Sequence, residues 1–596
     1  MGKKQRTRQR RRTSTRPAPR VDAVTGHERA VAALRRGDLD GAEHESRRVL
    51  RTCPDHAPSL NLLGVVLGSR RDLDAAVAHM ERAIALDGDV AEYHHNLGIA
   101  LGERGDFDDA AAEFERALEL DPTYTAALRT LADMQRTRGA SELARVDLLD
   151  TSVAAYRQLL VRDPDDVHAL LGLGLALQEQ GRTRPAELAL ARVTELDPAQ
   201  HVAWTARGLA LRLLGRFDES VECFTRATEL WDDPRALGNV ALTLADRGSF
   251  DEAIAMYREA LRRAPDDPQV HFNYAAALLM AGRLPDAWDE FEYGLASGQR
   301  RPNRKLPAPR WNGEDISDKT ILLWREQGIG DELLCASMFE EVVARAGRVI
   351  IECSIRLIPL FQRTFPTAIV REETLSMADG IEQVDPPDYD VQIPFYSLPR
   401  LLRPTLDAFP RDRGAYLTPD PAAVARWRAR LDALGDGPKV GMSWRSRNRH
   451  GDRAWYYTKL HQWGPLFATP DVHWVLLQYD DCEAEVVEAE ERFGVTIHRW
   501  PDIDLMVDLD DVAALTSALD LAIGPATSVA HMCGALGIET WQLSIEHNST
   551  ALGAADRYPW MPSNRLFRRR ADESWESVID AVARELRAFT TGARAA

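Results

Sequence analysis

Apolar residues in the first half of the chain recur at helical spacing, in a pattern that repeats about every 34 residues. The stretches Ala91–Tyr124 and Val167–Gln200 carry leucine, glycine, alanine, a bulky apolar residue and proline at matching positions. Small residues let two antiparallel helices cross closely, the bulky residue fills the gap between them, and the proline ends the second helix. The pattern therefore predicts successive pairs of helices over residues 23–300.

This pattern resembles the tetratricopeptide repeat. It predicts an α-solenoid with a concave groove, because each unit contacts only its neighbours. The predicted units are 23–56, 57–90, 91–124, 125–166, 167–200, 201–233, 234–267 and 268–300. The fourth unit carries about eight additional residues around Gly139–Leu149, which form either a longer loop or an extended helix.

In proteins with this repeat, the sixth residue of the first helix of a unit points into the groove. Three units have asparagine there: Asn96, Asn239 and Asn273. A side-chain amide both donates and accepts hydrogen bonds, so it can hold a peptide backbone of any sequence. Other units interrupt this series with Leu62, Thr130, Gly172 and Ala206. We expect the groove to bind a protein partner; an array that only spaces or oligomerises the molecule is the alternative.

From residue 319 onward, short apolar runs alternate with helical patterns, which predicts parallel sheets with helical crossovers. The predicted strands are Ile321–Trp324, Arg348–Cys353, Ala368–Val370, Tyr389–Ile393, Lys439–Trp444, Val472–Leu477, Val495–Trp500, Leu519–Ile523 and Glu539–Leu543. We expect two α/β halves, at 319–420 and 421–596, joined to the repeats by a basic, proline-rich linker at 301–318.

The first of these strands leads into the turn Gln327–Asp331, whose two glycines permit close backbone approach, and then into an apolar helical pattern. Asp331 would therefore lie at the carboxyl edge of a parallel sheet, where open α/β folds bind ligands. Aspartate is also a good helix cap, so a purely structural role is the alternative.

Three segments of the second half resemble the ADP-heptose:lipopolysaccharide heptosyltransferase family: Gln327–Asp331, Gly524–Ser528 and Ala530–Gly537. Residues 558–568 are similar to the ending of bacterial tetratricopeptide proteins that carry such a domain at the C-terminus. The resemblance covers residues 319–590 in order and implies a GT-B fold of two Rossmann-like halves. It also implies transfer of a sugar from a nucleotide-activated donor without a catalytic metal or other cofactor. Some relatives are linked to glycosylation of flagellin.

The resemblance assigns the role of general base to Asp331, which would take the proton from the acceptor hydroxyl. The residues it implies in donor phosphate binding are Gly328, Gly330, Arg445, Ser446, Arg447, Thr527, Ser528 and His531. Lys459 is a looser candidate, and a structural role for His531 is the alternative. The family commonly has aspartate where this chain has Ala526. That departure leaves a second hypothesis open, a catalytically inactive scaffold that only binds partners.

Composition indicates the cellular compartment and argues against a transmembrane helix and a metal site. The chain has no apolar run of about 18 residues, so we expect no transmembrane helix. Its six cysteines are scattered without a CxxC pair, which predicts buried free thiols in a reducing cytoplasm and no metal site. The Asp-x-Asp matches at Asp502–Asp504 and Asp508–Asp510 are interpreted as loop acids in a chain rich in aspartate.

The formal net charge is −18, but residues 1–20 carry nine lysines and arginines and no acid, so the remainder sums to −18 − 9 = −27. Like charges at this density repel, and we expect residues 1–22 to form a disordered tail. A solvated tail is the favoured interpretation, and contact with nucleic acid is the less favoured one.

Overall fold

The computed structural model of the protein describes residues 22–141, 146–373, 387–447, 455–571 and 573–593. Most of the predicted tail, residues 1–21, lies outside the described residues, as do residues 448–450 of the loop after the fifth strand. The chain divides into two compact units, the first ending at Gln180 and the second beginning at Gly181.

The first unit consists of helices in antiparallel pairs. They are α1 Ala23–Arg35, α2 Leu39–Thr52, α3 Ala57–Ser69, α4 Leu73–Leu86, α5 Ala91–Arg104, α6 Phe107–Leu120, α7 Thr125–Ser141, α8 Val146–Arg162 and α9 Val167–Glu179. The prediction of tetratricopeptide-type helix pairs is confirmed here. The extra residues of the fourth repeat lengthen both of its helices to 17 residues, as the extended-helix alternative predicts.

Close helix crossing explains the small residues of the repeat. A Cβ atom added at Gly98 of α5 would lie 2.7 Å from the ring of Phe114 in α6, which is closer than carbon atoms approach. Phe114 itself is 1% exposed. The glycine and the aromatic residue therefore form one packing unit, since the ring occupies the space that a side chain on α5 would need.

The second unit begins with further helices of the same type, which are α10 Thr183–Leu196, α11 His201–Leu213, α12 Phe217–Leu230, α13 Pro234–Asp246, α14 Phe250–Arg263, α15 Pro268–Met280, α16 Leu284–Phe291 and α17 Tyr293–Ala296. The turns within three of these pairs contain Gly215, Gly248 and Gly282, all at positive φ. A Cβ atom at Gly215 would lie 2.7 Å from the Ala571 carbonyl oxygen, and one at Gly248 would lie 2.7 Å from His547 Nε2. These turns thus pack directly on the carboxyl-terminal part of the chain.

A four-stranded sheet follows. Its elements are β1 Thr320–Trp324, α18 Ile329–Ala336, α19 Phe339–Val343, β2 Arg348–Cys353, α20 Ile358–Thr364, β3 Ile369–Glu372, β4 Val391–Pro394 and α21 Leu398–Leu402. The strand order is β3-β2-β1-β4, and all three pairings are parallel. Residues 321–324 are buried because helices and loops cover the sheet, which explains their continuous apolar run.

A seven-stranded sheet completes the unit. Its elements are α22 Pro421–Asp432, β5 Lys439–Met442, α23 Gly464–Phe467, β6 His473–Leu476, α24 Glu483–Phe493, β7 Ile497–His498, α25 Leu509–Ser517, β8 Leu521–Pro525, α26 Ser528–Ala535, β9 Thr540–Ile545, β10 Arg557–Tyr558, β11 Met561–Arg569 and α27 Trp575–Ala593. The strand order is β10-β11-β9-β8-β5-β6-β7. The pairing of β10 with β11 is antiparallel and the others are parallel.

The expectation of parallel sheets with helical crossovers is confirmed, with corrections to single elements. The helical pattern that follows the turn Gln327–Asp331 forms two short helices, α18 and α19, which are separated at Ser337 and Met338. Helices α24 and α25 and strand β11 are not predicted by the sequence pattern. All six cysteines are free; five are buried and Cys53 is half-buried. Among the described residues, no helix is long and apolar enough to cross a membrane.

We predict that Phe114→Ala lowers the free energy of unfolding by about 3–5 kcal/mol, because it leaves a cavity opposite Gly98. Phe107→Ala is the matched control on the same helix: Phe107 is 38% exposed, so its loss should cost less than about 1 kcal/mol. Urea unfolding followed by circular dichroism measures both. Equal losses for the two variants would contradict the packing argument.

Candidate functional site

A cleft of about 600 Å³ opens at the carboxyl ends of strands from both sheets. Many of the residues that line it come after these strands: the turn after β1, the loop after β5, Leu477 and Tyr479 after β6, the turn after β8, and Asn548 and Thr550 after β9. Parallel strands end at one edge of a sheet, so residues far apart in sequence meet there. The cleft brings together Gly328, Gly330, Asp331, Ser446, Thr527, Ser528 and His531 of the sequence-based candidates.

The Asp331 carboxylate is held from two sides. Its Oδ2 accepts a hydrogen bond from the Gly328 N–H at 3.0 Å, which caps the first turn of α18. Its Oδ1 accepts one from the Tyr396 hydroxyl at 2.7 Å. The capping role considered above is therefore present. Each carboxylate oxygen offers more than one acceptor direction, so both retain capacity to accept a proton or a further hydrogen bond.

Gly330 lies where the amino-terminal ends of α18 and α26 pack against each other. A Cβ atom there would lie 3.1 Å from His531 Nδ1 and 3.3 Å from the backbone of Ser528. His531 Nδ1 donates to the Gly330 carbonyl oxygen at 2.9 Å, because a carbonyl only accepts. Gly330 is thus required for the contact between the two helices, and His531 ties one α/β half to the other.

The helix α26 begins at Ser528, with Thr527 as the residue that precedes it in extended conformation. The side chain of Thr527 makes no capping hydrogen bond, and its buried Oγ1 has no partner within the described structure. His531 Nε2, one turn later, is also buried and unpartnered. Free N–H groups and the helix dipole make such a terminus a favourable place for an anion. Burial lowers the pKa of His531, while the charge of Asp331 opposes that shift.

The three candidate residues in the loop after β5, Arg445, Ser446 and Arg447, lie in different environments. Arg445 is buried and forms ion pairs with Asp480 at 3.1 Å and Glu485 at 2.7 Å, so its charge is already balanced. It lines a neighbouring cavity of about 440 Å³ together with Lys459. Ser446 lines the cleft and lies 3.1 Å from the Tyr479 hydroxyl. Arg447 is exposed, with Nη1 3.9 Å from the Met506 sulfur.

Several lining residues of the cleft are not among the sequence-based candidates: Arg356, Tyr456, Tyr457, Tyr479, Asn548 and Thr550. Tyr396, which donates to Asp331, is not among them either. Among the described lining residues, Arg356 is the one arginine and Asp331 the one acid. Arg356 Nη1 donates to the Met506 carbonyl oxygen at 2.8 Å, across the two α/β halves. The sequence could have identified Arg356 and Tyr396, because both closely follow predicted strands.

The groove asparagines are all half-buried. In the first unit, Asn96 donates to the side chain of Asn61 at 3.2 Å. In the second unit, Asn273 accepts from Gln269 at 2.9 Å. Two of the three amides therefore already hold a neighbouring amide side chain. Among the described residues, no group of three or more His, Cys, Asp or Glu is arranged to hold a metal ion.

Comparison with known proteins identifies the family to which the chain belongs. Tetratricopeptide repeat profiles match residues 27–91, 147–183 and 239–302, residues 91–124, and residues 200–265. Protein FlbA of Caulobacter vibrioides is 36% identical over 485 residues, which cover 78% of this chain and 80% of that protein. The chain belongs to the FlbA family. Because the match extends over more than the repeats, the FlbA family combines tetratricopeptide repeats with a further region.

Other likenesses of this FlbA-family chain are shorter. Cellulose synthase 1 operon protein C of Komagataeibacter xylinus is 31% identical over 166 residues, 28% of this chain and 9% of that protein. A crystal structure of MamA is 22% identical and covers 30% of this chain and 92% of its own, with a TM-score of 0.26. The structure of YrrB, a tetratricopeptide protein with an unusual peptide-binding site, is 18% identical and covers 32% and 94%, with a TM-score of 0.28.

We predict that Gly330→Ala destabilises the second unit by about 1–3 kcal/mol, because the new methyl group would push α26 away. Gly328→Ala is the control: its Cβ would meet Asp331 Oδ2 at an ordinary 3.6 Å, and φ is −102°. Urea denaturation of the full chain compares the two. A Gly330→Ala variant as stable as Gly328→Ala would refute this account of the helix contact.

A second prediction concerns pH. Burial lowers the pKa of His531 in the folded chain, so below the ordinary value of 6.5 the unfolded chain takes up a proton that the folded chain does not. Stability should therefore fall as pH decreases from 7.5 to 5.5, with His531 contributing up to about 1.4 kcal/mol. His531→Gln should show a correspondingly weaker dependence in denaturation series at the two pH values. An unchanged dependence would mean that folding does not shift the pKa of His531.

Proposed function

We propose that the chain is a GT-B glycosyltransferase that transfers a sugar from a nucleotide-activated donor to a protein acceptor recruited by its repeats. The observation that carries this proposal is the meeting of two groups in one cleft: the Asp331 carboxylate and the amino-terminal end of α26 with Thr527 and Ser528. One group accepts protons, and the other favours anions. Sugar transfer from an activated donor needs both.

The reaction follows from these two groups. The acceptor hydroxyl oxygen forms a bond to the anomeric carbon of the donor, and its proton passes to Asp331. The bond between that carbon and the phosphate oxygen breaks, and its electron pair leaves with the nucleoside diphosphate. Asp331 suits the role of base because each of its oxygens has one hydrogen-bond donor and remaining acceptor capacity.

The leaving phosphate would be stabilised at the start of α26. The first N–H groups of that helix and the positive end of its dipole lie at the cleft, beside the unpartnered Thr527 hydroxyl. Arg356 supplies a full positive charge on the wall of the opposite half. Charges placed in advance around a developing anion lower the barrier because they need no reorganisation. Arg445 is not assigned this role, because two carboxylates already neutralise it.

The acceptor side of the proposal rests on the repeats. Tetratricopeptide arrays bind protein segments in their grooves, and repeats occupy nearly half of this chain. A protein acceptor, of the flagellin type in the resemblance noted above, would explain why such an array accompanies a transferase cleft. The matched repeat segments and the family membership support the interaction role.

Ala526 supports a second candidate function, a scaffold without catalysis. Ala526 lines the cleft directly before Thr527, at the position where related transferases commonly have aspartate. Without that carboxylate, the chain would keep its fold, but the cleft would lack a group that holds the acceptor in place. Calorimetry with a panel of nucleotide sugars separates the two functions. Binding of at least one donor supports the transferase, and binding of none supports the scaffold.

We predict that Asp331→Asn reduces transfer by a factor of about 10²–10⁴ with the fold retained, because asparagine cannot take the proton. Asp420→Asn is the matched control: Asp420 also caps a helix, by accepting from the Ala422 N–H at 3.1 Å, but lies outside the cleft. Cells that lack the chain receive wild type or one variant, and intact-mass analysis of their proteins detects sugar-sized mass differences.

Wild type and Asp420→Asn should restore the sugar mass on one protein, and Asp331→Asn should not. Full restoration by Asp331→Asn would refute the base assignment while leaving transfer intact. If wild type itself adds no sugar-sized mass to any protein, glycosyl transfer is wrong and the scaffold function is favoured.

A further inference from the structure

Residues 299–301, which follow α17, form hydrogen bonds with Glu326 and Gln327. These two residues connect β1 to the turn of the cleft, residues 327–331. The Gln327 N–H donates to the Arg301 carbonyl oxygen at 2.6 Å, and Gln327 Nε2 donates to the Gln299 carbonyl oxygen at 2.6 Å. Gln327 has φ of 67°, a left-handed conformation that non-glycine residues adopt only when surroundings hold them. The end of the repeats therefore fixes the first residue of the turn.

Arg300 fixes the preceding residue. Its side chain is fully buried, and its Nε and Nη2 donate to the two oxygens of Glu326 at 3.1 and 2.6 Å. Glu326 is also 0% exposed. Arg300 Nη1 lies 3.2 Å from Glu292, which belongs to the end of the repeats. A two-pronged arginine–carboxylate contact sets both distance and orientation, so Glu326 has little freedom.

Glu326 in turn holds Tyr396, which follows β4. Glu326 Oε1 accepts from the Tyr396 N–H at 2.9 Å, and the Tyr396 hydroxyl donates to Asp331 Oδ1 at 2.7 Å. Burial, with the charge of Asp331 adding to it, raises the pKa of Tyr396 well above its ordinary value. The hydroxyl therefore keeps its proton and remains a donor at neutral pH. Contacts run without a break from Arg300 to the cleft carboxylate.

We propose that Tyr396 is a positioning residue for Asp331, and that Arg300, through Glu326, holds Tyr396 in place for that task. The end of the repeat array thereby sets the orientation of the carboxylate in the cleft. The proposal deepens the transferase function and depends on it for the effect on catalysis. The effect on the structure of the turn does not depend on it.

Tyr396→Phe tests the link in the full-length chain, with Tyr416→Phe as the matched control. Tyr416 also donates to α18, to the Leu333 carbonyl oxygen at 2.8 Å, but makes no bond to Asp331. Hydrogen–deuterium exchange of peptides covering residues 326–334 reports the exchange rate of the Gly328 N–H, which donates a hydrogen bond to Asp331. We expect exchange in Tyr396→Phe to be at least about tenfold faster than in wild type, because an unanchored carboxylate caps less well. Tyr416→Phe should stay close to wild type.

A charge-balanced variant extends the test to the rest of the chain of contacts. Replacing Arg300 alone would leave Glu326 as an uncompensated buried charge, so both residues are changed together, as Arg300→Met with Glu326→Gln. We expect the same faster exchange at the turn. Exchange in Tyr396→Phe equal to that in Tyr416→Phe would overturn the role of Tyr396. Wild-type exchange in the double variant would overturn the role of Arg300.

Transfer kinetics then test the consequence for catalysis. Once the acceptor is known, Tyr396→Phe should lower kcat by about tenfold or more and leave the donor KM within about twofold. The folded fraction of each sample is measured by circular dichroism, because a loss of folded protein would also lower the apparent kcat at constant KM. Unchanged kcat with faster exchange would overturn the positioning role in catalysis. Faster exchange in Tyr396→Phe, together with a wild-type chain that transfers no sugar, would instead refute the transferase function alone.

Discussion

A guanidinium group without solvent contact can persist only where carboxylates and other acceptors surround it, because an unpaired buried charge is very costly. Arg300 meets this condition with partners from three parts of the second unit: Glu292 from the repeats, Glu326 after β1 and Ser397 after β4. These partners can meet only when the repeats, the sheet and its edge loop are all in place. The ion cluster around Arg300 therefore ties the geometry of the cleft to the folding of the whole unit.

The two helices that meet in the cleft differ in their charge balance. The amino-terminal ends of α18 and α26 pack together, so two positive dipole ends lie close to each other. On α18 the Asp331 carboxylate compensates this charge at the Gly328 N–H. On α26 no described side chain does so, since Thr527 makes no cap. The start of α26 therefore keeps an uncompensated positive dipole end beside the negative charge of Asp331.

The repeats and most strands are readable from sequence because their signals are local. Residues 321–324 form an apolar run that only a strand buried on both faces needs. Helix α24 is not readable, because its buried residues Val486 and Ala489 stand among glutamates. Strand β11 contains Pro562 and several arginines. The cleft turn and Thr527 follow from a motif, whereas the contact of Tyr396 with Asp331, 65 residues earlier, depends on the pairing of β1 with β4. The burial of Arg445 likewise depends on distant acids, Asp480 after β6 and Glu485 in α24.

The turn glycines of the repeats divide the array into parts with different freedom to change. Among the described atoms, nothing lies within 4 Å of a Cβ placed on Gly37 or Gly105, so insertions there would extend into open space. Gly248 instead touches His547, and Gly282 lies against Leu552, on either side of the cleft residues Asn548 and Thr550. Added residues in those turns would displace the wall of the cleft. The turns at Gly37 and Gly105 therefore tolerate changes in length that leave the cleft intact, whereas the turns at Gly248 and Gly282 do not.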